Sequence, residues 1–232
     1  MARPWNKGFT KETHPSVRKI SDTMHSSRID NFAGWRAQAI QAGKIKILFP
    51  PLPRNGDLAE LIGVVLGDGH IEKFPRTERL LIFSNSNNPG FVARYAEIVK
   101  RLFEKEPYVY KQTSQNCIRI SLYEKEISRR LGIPTGARKD IVVKIPSWIV
   151  KNKKHTIRYL RGLYEAEGSL SFHKPTYTHK FSFSNKNQSL LKNVEKLLRI
   201  LGFSPHSDAV RVQISKKDEV RRVAELLEFR KY

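Results

Sequence analysis

Two stretches of this chain carry an apolar, small-residue run into an acid followed by glycine. They are Leu61-Ile62-Gly63-Val64-Val65-Leu66-Gly67-Asp68-Gly69 and Leu160-Arg161-Gly162-Leu163-Tyr164-Glu165-Ala166-Glu167-Gly168. Small residues recur four apart in each, Gly63 with Gly67 and Gly162 with Ala166, so each pair shares one helix face and admits a second backbone. Asp68 and Glu167 then stand at the negative end of the helix macrodipole, a placement that costs about 0.3–1 kcal/mol each. One such acid reads as an ordinary exposed helix end. The same unfavourable choice in two matched segments points to a divalent cation held between the carboxylates. Each trailing glycine is expected to close its helix in the left-handed conformation. His70 and His173 lie close by in sequence, but no metal-ligand spacing supports them as ligands.

The rest of the composition fits an anionic partner. The chain has 232 residues, with 43 Lys and Arg against 22 Asp and Glu, a net charge of +21. Charge of that size repels itself in the compact state, and its usual use is to bind a polyanion. With 39% hydrophobic residues and 12 Phe, 8 Tyr and 3 Trp, the sequence is neither disordered nor membrane-embedded. Its apolar runs fall short of the ~20 residues that a membrane span needs. The N-terminal stretch has Arg3, Trp5, Lys7 and Lys11 but no apolar core of a secretory signal. The single cysteine, Cys117, allows no internal disulfide and no thiolate zinc finger. The expectation is an intracellular protein, cytoplasmic and nucleoid-associated or organellar.

The elements that position the two acids also recur. Asp57-Leu58-Ala59-Glu60 reads as a capping box opening the first acid-bearing helix. Strands around 70–74 and 79–85 follow, then an amphipathic helix over 91–103 with Val92, Tyr95, Ala96, Val99 and Phe103 on one stripe. A hairpin turning at Thr113-Ser114-Gln115-Asn116 and a short helix over 124–131 complete the unit. A second copy begins near Thr156 and repeats the order through 232. The fold class is α+β, two pseudo-symmetric αββαββα units of about 75 residues, neither able to bury both sheet faces alone. The expected boundaries are a basic N-terminal extension and linker (1–54), a first repeat (55–131), an inter-repeat linker (132–155) and a second repeat (156–232).

The two signature segments and the order of elements around them resemble the LAGLIDADG homing endonucleases in their single-chain, two-repeat form. The resemblance covers about Asp57 to Tyr232. It implies signature helices packed side by side at a pseudo-twofold axis through Gly63 and Gly162, and antiparallel sheets that saddle duplex DNA. It implies that Asp68 and Glu167, with the carbonyls of Gly67 and Ala166, bind Mg²⁺ or another divalent cation at the scissile phosphates. A monomer that cuts both strands of a DNA site is the activity so implied. The first signature departs from the family name at most letters, with Leu66 where an acid often sits. Asp68 is untouched by that departure.

Around this centre, Lys186 in Phe183-Ser184-Asn185-Lys186-Asn187 is the candidate for orienting water or stabilising charge. The first repeat offers Asn85 at the place taken to match it. Strand alternation then selects a DNA-facing set. Lys180, Ser182 and Ser184 oppose Phe181 and Phe183; Ser169, Ser171 and His173 oppose Leu170 and Phe172. Arg119 opposes Ile118 and Ile120, and Arg211 and Gln213 oppose Val210, Val212 and Ile214. The first repeat similarly offers His70, Glu72, Arg76 and Arg79. Two-stranded ribbons fit the major groove, where Arg reads guanine and Gln reads adenine.

The extension contributes Lys7, Lys11, Arg18 and Lys19. Its segments Asn6-Lys7-Gly8-Phe9-Thr10-Lys11-Glu12-Thr13 and Val17-Arg18-Lys19-Ile20-Ser21 faintly resemble nuclease-associated modular DNA-binding motifs. One short helix over Thr10 to Met24, capped by Ser16 or Thr13, is expected there. The leading expectation is a site-specific double-strand DNA endonuclease. The chain neither starts with Cys or Ser nor ends in His-Asn, so an intron-encoded or free-standing enzyme is expected rather than a self-splicing insert. The competing expectation is a non-cleaving nucleic-acid binder on the same scaffold, such as an RNA maturase that contacts intron RNA. A plain RNA-binding protein would leave the repeat unexplained.

Overall fold

The computed structural model describes residues 4–28, 30–112, 115–138 and 141–232. The turn positions Thr113 and Ser114 lie outside the described residues. The chain divides into two compact units, Met1–Phe49 and Pro50–Tyr232. In the first, α1 spans Pro15–Ser26 and α2 spans Ala33–Gln41. The cap of α1 is His14, whose ring accepts the Ser16 N–H, in place of the hydroxyl caps expected from sequence. α2 has no counterpart in the sequence reading, because it lacks a side-chain cap and buries only Ala39.

The second unit contains the repeats. The first runs α3 (Gly56–Asp68), β1 (Gly69–Lys73), β2 (Glu78–Asn85), α4 (Pro89–Phe103), β3 (Tyr108–Lys111), β4 (Cys117–Glu124) and α5 (Ile127–Leu131). After α6 (Ser147–Val150), the second runs α7 (Lys153–Glu167), β5 (Gly168–His173), β6 (Thr178–Ser184), α8 (Gln188–Ile200), β7 (His206–Ser207), β8 (Arg211–Ile214) and α9 (Lys217–Leu226). Each repeat forms one antiparallel four-stranded sheet, in the orders β1-β2-β4-β3 and β5-β6-β8-β7. This is the two-repeat α+β architecture that the sequence implied.

The helices start where side chains satisfy their free N–H groups. Asn55 caps α3 by accepting the Leu58 N–H at 2.9 Å, and Asn152 caps α7. The capping box expected at Asp57–Glu60 does not form. Glu60 is fully buried instead and binds Arg94 at 2.5 and 2.9 Å, and Arg158 of α7. A carboxylate so enclosed requires guanidinium partners, and drawing one from each repeat ties α3 to α7 and α4.

α3 is apolar around most of its surface and buries Leu58 through Val65 without interruption, as a central helix must. α4 packs Phe91, Tyr95, Ile98, Val99 and Leu102 against the core, and α8 packs Leu190, Val194, Leu197 and Leu198. On α7, Tyr164 stacks on Phe181 of β6 with ring centroids 4.3 Å apart.

Two strand assignments need correction. Leu170 and Phe172 are each 47% exposed, and Val210 is 48% exposed. Leu170 and Phe172 lie on β5, the edge strand of its sheet, and Val210 lies in the turn just before β8. Ser182 and Gln213, expected to be open, are buried at 6% and 8% because they bond to each other (3.3 Å), and Gln213 also bonds His206 and Ser215.

Candidate metal centre and nucleic-acid interface

The site begins with the approach of α3 to α7. A Cβ added to Gly63 would fall 2.3 Å from the Tyr159 carbonyl oxygen, and one on Gly162 would fall 2.1 Å from that of Glu60. These contacts are backbone, so neither neighbour can give way. One turn later, a Cβ on Gly67 would meet Ala166 Cβ at 2.4 Å and Glu167 Cγ at 3.2 Å. Small residues four apart on both helices thus bring the two C-terminal ends together, with Asp68 and Glu167 as the last helical residues.

The glycines that follow do not supply a left-handed cap. Gly69 and Gly168 have φ of −92° and −87° and lead directly into β1 and β5. Their absent side chain serves space. A Cβ on Gly69 would strike Val65 Cα at 2.5 Å, and one on Gly168 would strike the Tyr164 carbonyl oxygen at 2.3 Å. The chain can therefore turn from helix to strand in one residue, which holds each acid at the junction of its helix and sheet.

The electrostatics of the pair favour a cation. Desolvation by the crowded helix ends first, then the charge of Glu167, pushes the Asp68 carboxyl up to about 6, although the residue keeps an exposed edge open to solvent. Burial raises Glu167 as well. Among the described residues no basic group offsets either acid. Nor do they include a cage of three or more His, Cys, Asp or Glu side chains. A hard divalent ion fits such a donor set, because carbonyls, waters and a substrate phosphate can complete its shell. The carbonyls of Gly67 and Ala166 belong to the last helical turns, where such groups lack intrahelical partners.

Beside Glu167 lies an open cleft of about 750 Å³, lined among others by Gly67, His70, Arg138, Asn185, Lys186 and Arg211. Lys186 is exposed there. Asn185 accepts the Asn187 N–H at 2.8 Å and donates to Glu167 Oε1 at 3.4 Å. Asn85 makes the same turn, accepting the Asn87 N–H at 2.9 Å. The turn at Asn85 thus resembles that at Asn185, while the strand register, with Ile82 opposite Gly69 and Phe183 opposite Gly168, carries Asn85 to the position of Lys186.

Two participants were not found from sequence. Asn185 stood beside the candidate lysine with no periodic signal of its own. Arg138 sits in the linker, where no repeat supports it. Its Nη2 donates to the carbonyls of Val65 (2.8 Å) and Gly69, bracketing Asp68, while Nη1 is buried without a hydrogen-bond partner among the described residues. Burial lowers its pKa.

The proposed reading residues on the strands fall on the sheet faces opposite the core, while Arg76 lies in the loop between β1 and β2. Ser169, Ser171, Ser184, Arg211, Asn85 and Arg76 are exposed, and His70, His173 and Lys180 are half-buried. Arg119 lies 5.2 Å from the Tyr110 ring centroid. Glu72 and Arg79 form an ion pair. In the other unit Lys7, Lys11, Arg18 and Lys19 are all exposed, with Arg18 Nε donating to the Lys11 carbonyl at 3.1 Å.

Residues 155–228 match the LAGLIDADG-like domain family. Among solved structures, the chain is similar to the homing endonuclease I-DmoI in complex with DNA and Mn, at 20% identity, 75% of this chain, 97% of that one and a TM-score of 0.54. It is also similar to the N-terminal LAGLIDADG domain of DUF199/WhiA, at 15% identity, 77% of this chain, 86% of that one and a TM-score of 0.51. A curated relative, the tRNA-splicing ligase RtcB of Methanopyrus kandleri, is 25% identical over 194 residues, which are 74% of this chain and 19% of the relative. The alignment thus reaches about a fifth of that protein's length. Two matched helices ending in acids, two sheets in the same strand order and these likenesses agree: the chain carries a LAGLIDADG-like domain and has the two-repeat LAGLIDADG fold.

Proposed function

We propose that the protein is a site-specific endonuclease that hydrolyses one phosphodiester on each strand of duplex DNA, using divalent cations. The observation that carries this reading is the pair Asp68 and Glu167, brought together at the ends of two touching helices and without a basic partner among the described residues. The likeness to a homing endonuclease solved with DNA and Mn supports both the substrate and the need for a divalent cation. Asp68 and Glu167, with the carbonyls of Gly67 and Ala166, would hold the cation, which supplies an acidified water and charge neutralisation at the phosphate.

The chain's own groups supply the rest. Asn185 fixes the Glu167 carboxylate by its hydrogen bond, and Arg138 fixes the helix-to-strand junction around Asp68. Lys186 stands exposed at the same cleft, where its ammonium would orient water or offset charge developing on the phosphate. The exposed basic side chains of both units would follow the DNA backbone.

The test is to incubate the full chain with a randomised duplex library in Mg²⁺ and in Mn²⁺ and sequence the ends produced. Double-strand cuts at a recurring sequence are expected from the wild type and absent from Asp68→Asn. Retained sequence-selective binding with no cutting in either metal would refute the nuclease and leave a non-cleaving binder.

A further inference from the structure

The reading face of the first sheet contains an arrangement that the second lacks. Glu72 and Arg79 are direct cross-strand partners on β1 and β2; the corresponding partners on β5 and β6 are Ser171 and Lys180. Arg79 donates Nε to Glu72 Oε2 at 2.7 Å, Nη2 to the same oxygen, and Nη1 to the Tyr123 hydroxyl at 2.8 Å. Its guanidinium carbon lies 5.5 Å from the Phe74 ring centroid and 5.4 Å from that of Tyr123. A guanidinium has five N–H donors, so one remains on each Nη nitrogen.

The arrangement is out of keeping with a simple phosphate contact. In a chain of net charge +21, Glu72 puts a carboxylate on the face that would meet a polyanion, where it repels phosphate. Phosphate binding needs only a point charge, and a lysine such as Lys180 supplies it. What Glu72, Tyr123 and Phe74 achieve together is to fix one fork orientation before any ligand arrives. Prefixing a long side chain matters where geometry is discriminated, since the ordering cost on binding is then already met. In the major groove, guanine offers O6 and N7 as two acceptors to such a fork. The rings of Phe74 and Tyr123, 37% and 46% exposed, flank it.

Resting on the endonuclease reading above, we propose that Arg79 is a specificity-determining residue that reads one guanine in the half-site beneath the first repeat. Glu72, Tyr123 and Phe74 are its positioning residues. Recognition in the two half-sites is then unequal in kind: a preset fork in one, and the single ammonium of Lys180 among serine hydroxyls in the other.

The experiment is binding selection of the full chain, without divalent metal, from a randomised duplex library. Wild type is expected to enrich guanine at one position of one half-site. Arg79→Lys should lose that preference by about tenfold while the rest of the site and the salt dependence of affinity persist. Glu72→Gln should weaken the same preference less. Lys180→Ala should alter only the opposite half. An unchanged consensus in Arg79→Lys overturns the assignment. So does uniform weakening on all sequences with the log–log salt slope reduced by about 0.9, the signature of a phosphate contact. A wild-type chain that enriches no sequence refutes site-specific recognition itself, whereas enrichment lacking that guanine refutes the Arg79 assignment alone.

Discussion

Counted outward from the strand partners of Gly69 and Gly168, the first sheet places Leu81, Phe83, Ser121 and Tyr108 where the second places Ser182, Ser184, Gln213 and His206. The helix ends of the same repeats differ far less, with Gly63 against Gly162 and Asp68 against Glu167. The contrast follows from what each region touches. α3 and α7 touch each other through main-chain atoms, so a change on one helix must be accommodated by the other. The reading faces do not pack on one another and are free to diverge. In the reading proposed above, the catalytic pair must stay nearly symmetric to serve two similar phosphates. The half-sites need not resemble each other at all.

Breaking the symmetric part should have the largest effect. Asp68→Asn and Glu167→Gln are each expected to remove cleavage of a selected site while leaving its affinity in gel-shift assays within about threefold, because the carboxylates serve the cation rather than the groove. Next comes the ionic tie between the repeats. Glu60→Gln leaves Arg94 and Arg158 facing an uncharged amide in a buried site, which should cost about 3–5 kcal/mol in denaturant unfolding. A loss below about 1 kcal/mol would mean that the tie contributes little to holding α3 against α7 and α4. Gly162→Ala tests the helix contact itself. The new methyl meets the Glu60 carbonyl, and overpacking of about 1–3 kcal/mol should lower the melting temperature by several degrees.

A smaller effect sharpens the electrostatic side of the comparison. With its folded carboxyl near 6 against an ordinary value of 3.8, Asp68 resists ionisation in the native state. Below about pH 4 both folded and unfolded chains carry the proton and stability is unaffected. From about pH 4 to 6 the unfolded chain ionises first, so native stability falls; above about 6 the deficit is constant. In EDTA, Asp68→Asn should therefore match wild type at pH 4 and melt a few degrees higher at pH 7. Equal melting temperatures at both values would show that solvent already relieves the pair.

The smallest change is expected from removing Met1–Phe49, which contains neither acid. For every phosphate that this unit neutralises, its removal should flatten the log–log salt slope of DNA affinity by about 0.9. An unchanged slope would identify that unit's exposed lysines and arginines as ordinary solvated charge.

The repeat, the paired acids and the small residues four apart were legible because each is a local pattern written twice. Period and spacing survive any uncertainty about element ends, so the α+β class and both sheets could be read from them. The capping box at Asp57–Glu60 was misread, and the cap Asn55 passed over, for the opposite reason. A capping box is defined by spacing alone, whereas a glutamate at the fifth position of a helix is free to turn inward when guanidinium groups from α4 and α7 are waiting there. Alternation likewise gave the correct side of β5, β6 and β8 but not exposure. Ser182 and Gln213 are covered by each other and their neighbours, and Leu170 is left bare.

What the sequence determined by itself is therefore periodic and short-range: two αββαββα units, an acid at each signature helix end, a strongly basic balance. Only the tertiary structure decided which distant groups meet. Arg138 reaches back across the chain to the carbonyls around Asp68, Glu72 and Tyr123 lock Arg79 from either side, and Gly69 and Gly168 prove necessary for clearance rather than for handedness. Spacing along a chain encodes which face a residue occupies. It does not encode what stands opposite, because that depends on how two separately written units close on each other.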